Sequence, residues 1–292
     1  MKHLLLMAVA AISITSYSQK ISNKLTFPKG QKLEMVTDVK SVMTQEMMGQ
    51  SMEFNINATV TRMFDVEDVT PAGAVIEHKV KRMQFNFDGM GQSQSFDSEK
   101  ESDMKGDMGK TFEKSIKNKY TMTVDNSGKI TAVKSDDDNP NKPATKEEEK
   151  DMMGNMMSQF AAGMEMPKTG DVTDLSILPN REIAKGESWT DSLTKDKDEK
   201  GKITYTLTDI TDNEILLNFT EEKTSERKQE AQGMEITMTS KDKTTGKVTL
   251  DKKTGLLKQS TATTDSQGTV EVMGQSMPMS NKMTKTVMVK GF

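Results

Sequence analysis

The chain has 292 residues, no cysteine, a formal net charge of −4, and 40 basic residues dispersed among 44 acidic ones. This excludes a disulfide-stapled scaffold and leaves no basic footprint for nucleic acid. Only 33% of residues are hydrophobic, yet 26 are methionine, so a core able to hold a cysteine-free protein must use that flexible, polarizable side chain heavily.

Residues 1–18 read as a secretory signal peptide: a basic start (MKH), an apolar run (LLLMAVAAISI), and Ser16 and Ser18 framing a small-residue cleavage site before Gln19. The expected product is exported, periplasmic or extracellular. It carries no lipid anchor, for want of a thiol, and it does not span the membrane, since no later apolar run is long enough.

From residue 31 the hydrophobic period is two, the signature of strands with one buried face. The word MGQS occurs at 48–51, 90–93 and 273–276. Read as a two-residue hairpin loop at Gly49–Gln50, with Gly first, it sets Met47 opposite Met52, Met43 opposite Ile56 and Met35 opposite Phe64, and one face becomes almost wholly apolar. The same loop pairs Phe87 with Phe96, Val272 with Met277 and Val270 with Met279. Further turns fall at VDNSGKI (124–130), LDKKTGLL (250–257), TPAG (70–73) and TDNE (211–214).

These anchors recur as two copies. KGQKLEM (29–35) corresponds to KGESWTD (185–191), the segment from 60 to 80 to that from 205 to 224, and VDNSGKI to LDKKTGLL. The expected organisation is a first β repeat at 19–134, a polar linker and amphipathic helix at 135–166, and a second β repeat at 167–292. The first copy carries an extra charged, low-hydrophobicity insert at 97–118, expected as loop. The helix, at about 145–162, has a Thr145–Glu148 capping box and a stripe of Met153, Met156, Met157, Phe160 and Met164.

Candidate chemistry is sparse. Met152, Met153, Met156 and Met157, and separately Met273, Met277 and Met279, supply soft thioethers suited to Cu(I), but they coincide with buried parities, so packing is the expected role. His78 shares the parity of Ile76 and Val80 and reads as a core residue. The DDDN stretch at 136–139 lacks the spacing of a Ca²⁺ loop, and Trp189 reads as a core anchor. No nucleophile motif is present, so the chain reads as non-enzymatic, with no cofactor and no metal. Phe292 ends the chain as an outer-membrane barrel strand would, but 10 Phe, 3 Tyr and 1 Trp cannot build an aromatic girdle.

The SQ at the signal end, the KGQKL segment, LPNREIAKGESW and the tandem β halves resemble a family of exported proteins of unknown function common in Bacteroidota. A curved antiparallel sheet with a helix on its concave face is similar, in architecture alone, to periplasmic lipoprotein carriers of the Lol pathway. The expected fold is mainly β: long antiparallel hairpins forming one or two curved, half-barrel-like sheets with an internal duplication. The expected function is a binding or carrier module for an apolar small molecule or lipid, lined by Met35, Met43, Met47, Phe54, Ile56, Phe64, Met153, Met156, Met157 and Phe160. The alternatives are a structural or interaction protein of the cell envelope and a Met-rich Cu(I)-binding protein.

Overall fold

The structure, a computed structural model, describes residues 20–291 except 23, 48–49, 136–165, 176, 194–197 and 232–233. The helix expected at 145–162 and the expected signal peptide therefore lie outside the described residues. Twelve strands form one antiparallel sheet. The first half supplies β2 (Lys32–Met47), β3 (Gln50–Thr70), β4 (Gly73–Gly89), β5 (Gln92–Asp97), β6 (Lys119–Asp125) and β7 (Ile130–Ser135). The second supplies β9 (Ser188–Ser192), β10 (Glu199–Ile210), β11 (Glu214–Ala231), β12 (Met234–Asp251), β13 (Leu257–Val272) and β14 (Gln275–Gly291). β1 (Lys20–Ile21) and β8 (Ile183–Ala184) pair separately.

The sheet order is β7-β6-β4-β3-β2-β14-β13-β12-β11-β10-β9, with β5 beside the upper part of β4. Each half is a meander, and pairing of β2 with β14 joins them. The sheet is open between β7 and β9. Eleven strands laid flat would span about 50 Å. Yet one hydrophobic cluster contains Ile130 of β7 and Trp189 of β9, together with Leu25, Phe27, Leu175, Leu178 and Ile183 from the crossing segments. The sheet is therefore rolled around those segments.

The outer face shows how so polar a sequence makes so much strand. Cross-strand partners align Thr190, Thr204, Thr220, Thr245, Thr263 and Thr284 in one row across six strands. Threonine combines a β-branched backbone preference with a wettable surface. The next row alternates in charge: Lys202, Glu222, Lys243, Asp265, Lys282. Opposite charges on neighbouring strands support this register.

The expected hairpin register is corrected. Met43 faces Phe54, Met35 faces Arg62, and Met47 faces Gln50. Likewise Phe85, not Phe87, faces Phe96, and Val270 faces Met277. Each partner is displaced by two residues because the two loop residues are Met-Gly, not Gly-Gln. At the two described tips both loop residues have positive φ: Met90 at 55° with Gly91 at 71°, and Met273 at 52° with Gly274 at 79°. This is the type I′ geometry favoured by strand twist. A left-handed conformation strains methionine, whereas asparagine tolerates it, so Met273→Asn should stabilise the protein by about 0.5–1 kcal/mol. A raised urea midpoint checks this; a lowered one contradicts it.

The halves repeat one another in detail. Gly30 N–H donates to Val66 O (2.9 Å) and Gly186 N–H to Leu207 O (2.7 Å). The sheet is bulged at Val66/Asp68 and again at Leu207/Asp209. Each bulge aspartate accepts from the lysine before the glycine: Lys29 to Asp68 at 2.8 Å and Lys185 to Asp209 at 2.6 Å. Thr70 and Thr211 close matching turns.

The insert expected as loop is helical: α1 (Glu101–Lys105) and α2 (Asp107–Lys117). It folds this way because Met104, Met108, Phe112 and Ile116 recur every fourth residue and bury one stripe.

Candidate functional site

The inner face is divided into regions by what packs on it. Toward the lower end, where the turns at 71–72, 126–128 and 252–255 lie, the crossing segments seal the core. Met35 (1% exposed) and Phe64 (2%) belong there and are fully packed. Trp189 is an anchor of the same core, stacked on Tyr205 with centroids 5.2 Å apart. His78 is also buried there, stacked on Tyr120 (4.4 Å) and edge-on to Phe64 (5.0 Å), and neither ring nitrogen has a hydrogen-bond partner among the described residues. Burial, followed by the nearby Arg62 cation, lowers its pKa to about 3. Arg62 in turn pairs with Asp174 at 2.8 Å.

On the upper part of β3 and β4, α2 covers a phenylalanine cluster: Phe112 lies 5.4 Å from Phe96 and 5.9 Å from Phe85, and Phe54 is 6.1 Å from Phe87. Phe54 is 1% exposed, while Met43 and Ile56 are half-buried against this cluster. The structure thus distributes the candidate lining residues over two packed cores. Met153, Met156, Met157 and Phe160 lie outside the described residues. Met47 keeps its place in β2, but its side chain is outside them.

Alternation of side chains through the paired strands places Ile236, Met238, Val270, Val272, Met277 and Met279 together on the upper inner face of β12–β14. All six are half-buried and belong to neither core cluster. Sequence reasoning missed Ile236 and Met238 altogether. Their alternation was legible, but which stretch of a strand face remains outside the packed cores depends on where α1–α2 and the crossing segments lie.

Below this surface runs a polar band. Ser41 donates to Asn281 (2.6 Å), and Thr244 and Thr264 share a hydrogen bond (2.9 Å), as do Ser225 and Ser240 (2.9 Å). Toward β10 and β11 the band becomes ionic: Lys223 Nζ lies 3.8 Å from Glu199 and 3.6 Å from Asp242, and Arg227 lies 3.3 Å from Glu199. Burial raises the pKa of the neighbouring Glu221 carboxyl. Among the described residues no cluster of three His, Cys, Asp or Glu side chains is arranged to hold a metal, and no helix is long and apolar enough to cross a membrane.

A sequence profile of a family of unknown function, DUF6263, matches residues 72–257, from the start of β4 to the start of β13. The chain belongs to the DUF6263 family. That family has no assigned function, and no curated protein matches the chain. Among solved structures it is similar to lipovitellin, a structure of lipid–protein interactions (TM-score 0.45, 9% identity), over 91% of this chain and 25% of that one. The chain thus spans a quarter of the lipovitellin chain. It is also similar to an outer membrane channel from Pseudomonas putida F1 (TM-score 0.28, 8% identity, 92% and 98% of the two chains). A third likeness is to OccK5 of Pseudomonas aeruginosa (TM-score 0.25, 5% identity, 90% and 98%).

Proposed function

We propose that this DUF6263 protein is an exported binding or carrier module that takes an apolar molecule on the upper inner face of its sheet. The observation that carries the reading is the half-buried surface of Ile236, Met238, Val270, Val272, Met277 and Met279, which joins neither packed core. Contiguous apolar surface outside a core marks an interaction site more often than chance exposure does. Two of the six, Met238 and Met277, flank Val270 in one row, and methionine can repack around varied shapes. Met43, at the border of the phenylalanine cluster, extends the surface toward β2. The role is binding rather than catalysis, carried out in the cell envelope.

The test is titration of the full chain with the neutral apolar probe N-phenylnaphthylamine. Probe fluorescence should rise saturably, and Met238→Asp with Val270→Asp should abolish the rise, because each buried carboxylate in the occupied site costs several kcal/mol. Thermal unfolding should change less than for a core substitution, since both side chains are only partly buried and belong to neither core cluster in the free protein. A wild-type protein that takes up no probe, or a double variant that binds as well as wild type, overturns the proposal.

A further inference from the structure

The ionic band and the apolar surface share strands, and their arrangement specifies more than an apolar ligand. Arg227 on β11 is the cross-strand partner of Met238 on β12, which pairs with Val270 on β13, which pairs with Met277 on β14. One row across four strands therefore begins with a guanidinium and continues with three apolar side chains over about 14 Å. Lys223 lies four residues before Arg227 on the same face, with Ser225 between them.

The charges are not presented evenly. Side-chain exposure is 47% for Arg227 and 28% for Lys223, but 14% for both Glu199 and Asp242. The carboxylates are recessed and the cations stand in front of them. Among the described residues Arg227 donates one side-chain hydrogen bond, from Nη2 to Glu199 at 3.3 Å, which leaves most of its five donors open there. A guanidinium with open donors matches a carboxylate or phosphate bidentately.

We infer that the ligand is an anionic amphiphile, a single acyl chain with a carboxylate or phosphate head, whose head is held by Arg227 with Lys223 behind it and whose chain lies across Met238, Val270 and Met277. This rests on the reading of the upper inner face given above and names the chemistry of its occupant. The greater exposure of the two cations over their carboxylate partners favours an anionic head, and the length of the apolar row favours an extended chain.

The full chain is titrated calorimetrically, below micelle-forming concentrations, with dodecanoate, dodecyl phosphate, dodecanol, dodecyltrimethylammonium and inorganic phosphate. The two anionic amphiphiles should bind about tenfold or more tightly than the trimethylammonium compound, a difference typical of one charge-assisted contact. Inorganic phosphate alone should not bind measurably. Arg227→Gln should erase the preference for anionic heads, leave dodecanol binding unchanged, and leave the unfolding midpoint in place. Dodecanoate and dodecyl phosphate compared with each other separate a fatty-acid head from a phospholipid-type head. If all four amphiphiles bind alike, the head-group assignment falls and the apolar site stands. If none binds, both fall. If inorganic phosphate binds as tightly as dodecyl phosphate, the site is an anion site and the acyl-chain assignment falls.

Discussion

Replacing His78 by phenylalanine should remove much of the protein's acid sensitivity between about pH 6.5 and pH 4. In the unfolded chain this imidazole takes up a proton near its ordinary value of 6.5, whereas the folded protein holds it neutral down to about 3. Over that window the unfolded state binds more protons, so stability must fall as pH falls, and the loss is complete only below the folded value. A shift of this size corresponds to at most about 4–5 kcal/mol, at 1.36 kcal/mol per pH unit. The cause is local. The ring is sandwiched between Tyr120 and Phe64, its nitrogens have no acceptor to stabilise an added proton, and Arg62 adds a like charge that the paired Asp174 only partly offsets.

Phenylalanine suits this stack and cannot titrate. Urea unfolding of wild type and His78→Phe should therefore differ by an amount that grows steadily as pH drops from 6.5 to 4. The carboxylates do not confuse the comparison. Asp97, held down to about 2 by its hydrogen bond from Arg82, loses its contribution only as pH falls below the ordinary aspartate range. Glu221, raised by burial, has the opposite sign and is common to both proteins. Parallel stability curves for the two proteins would show that His78 is protonated or solvated in the folded state.

The sequence exposes faces more clearly than it exposes registers. Side chains alternate with period two, so displacing a strand by two residues leaves the same residues on the same face. The alternation of Leu33, Met35, Val39 and Met43 against Phe54, Ile56, Ala58 and Val60 is equally well served by either pairing. Only the turn separates them, and the turn misleads because a methionine, where asparagine is usual, occupies the first left-handed position. The duplication was legible because it is marked by backbone devices. Glycines at positive φ and bulge aspartates leave traces in sequence that general hydrophobicity does not.

Helix α2 escaped for a different reason. Its three apolar residues, Met108, Phe112 and Ile116, lie among lysine, aspartate and glutamate, and mean composition hid a clean spacing of four. The candidate site escaped because it is a tertiary property. Val270 and Met277 look no different in sequence from Val60 and Phe54, yet the latter are covered by packed cores and the former join neither. The duplication sharpens that asymmetry. The first half carries α1–α2 over its upper strands, the described residues of the second half include no counterpart, and the corresponding face of the second half is where the half-buried methionines and the ionic band lie.

Phe112→Ala tests that division of labour. Phe112 is fully buried between Phe85 and Phe96, and truncating so large a core aromatic costs about 3–5 kcal/mol. Its other apolar contacts to this cluster, Met108 and Ile116, are only partly buried. An 11-residue helix is marginal alone in water, and its flanking ion pairs, Lys110–Asp107 and Lys117–Glu113, are exposed and weak. Tight packing at its start also limits relaxation, since a side chain at Gly109 would run into the Met104 carbonyl. Two outcomes are separable by amide exchange. If α1–α2 and the sheet unfold together, the full cost appears in the global unfolding free energy and protection falls everywhere. If the helices undock alone, residues 101–117 lose protection while β12–β14 keep theirs, and the global cost is smaller. The weak independent stability of α2 favours the second, with protection lost first at 101–117 and probe binding at Met238 and Val270 preserved. A Phe112→Ala protein that keeps full protection across 101–117 would show that α2 is held by contacts other than its aromatic anchor.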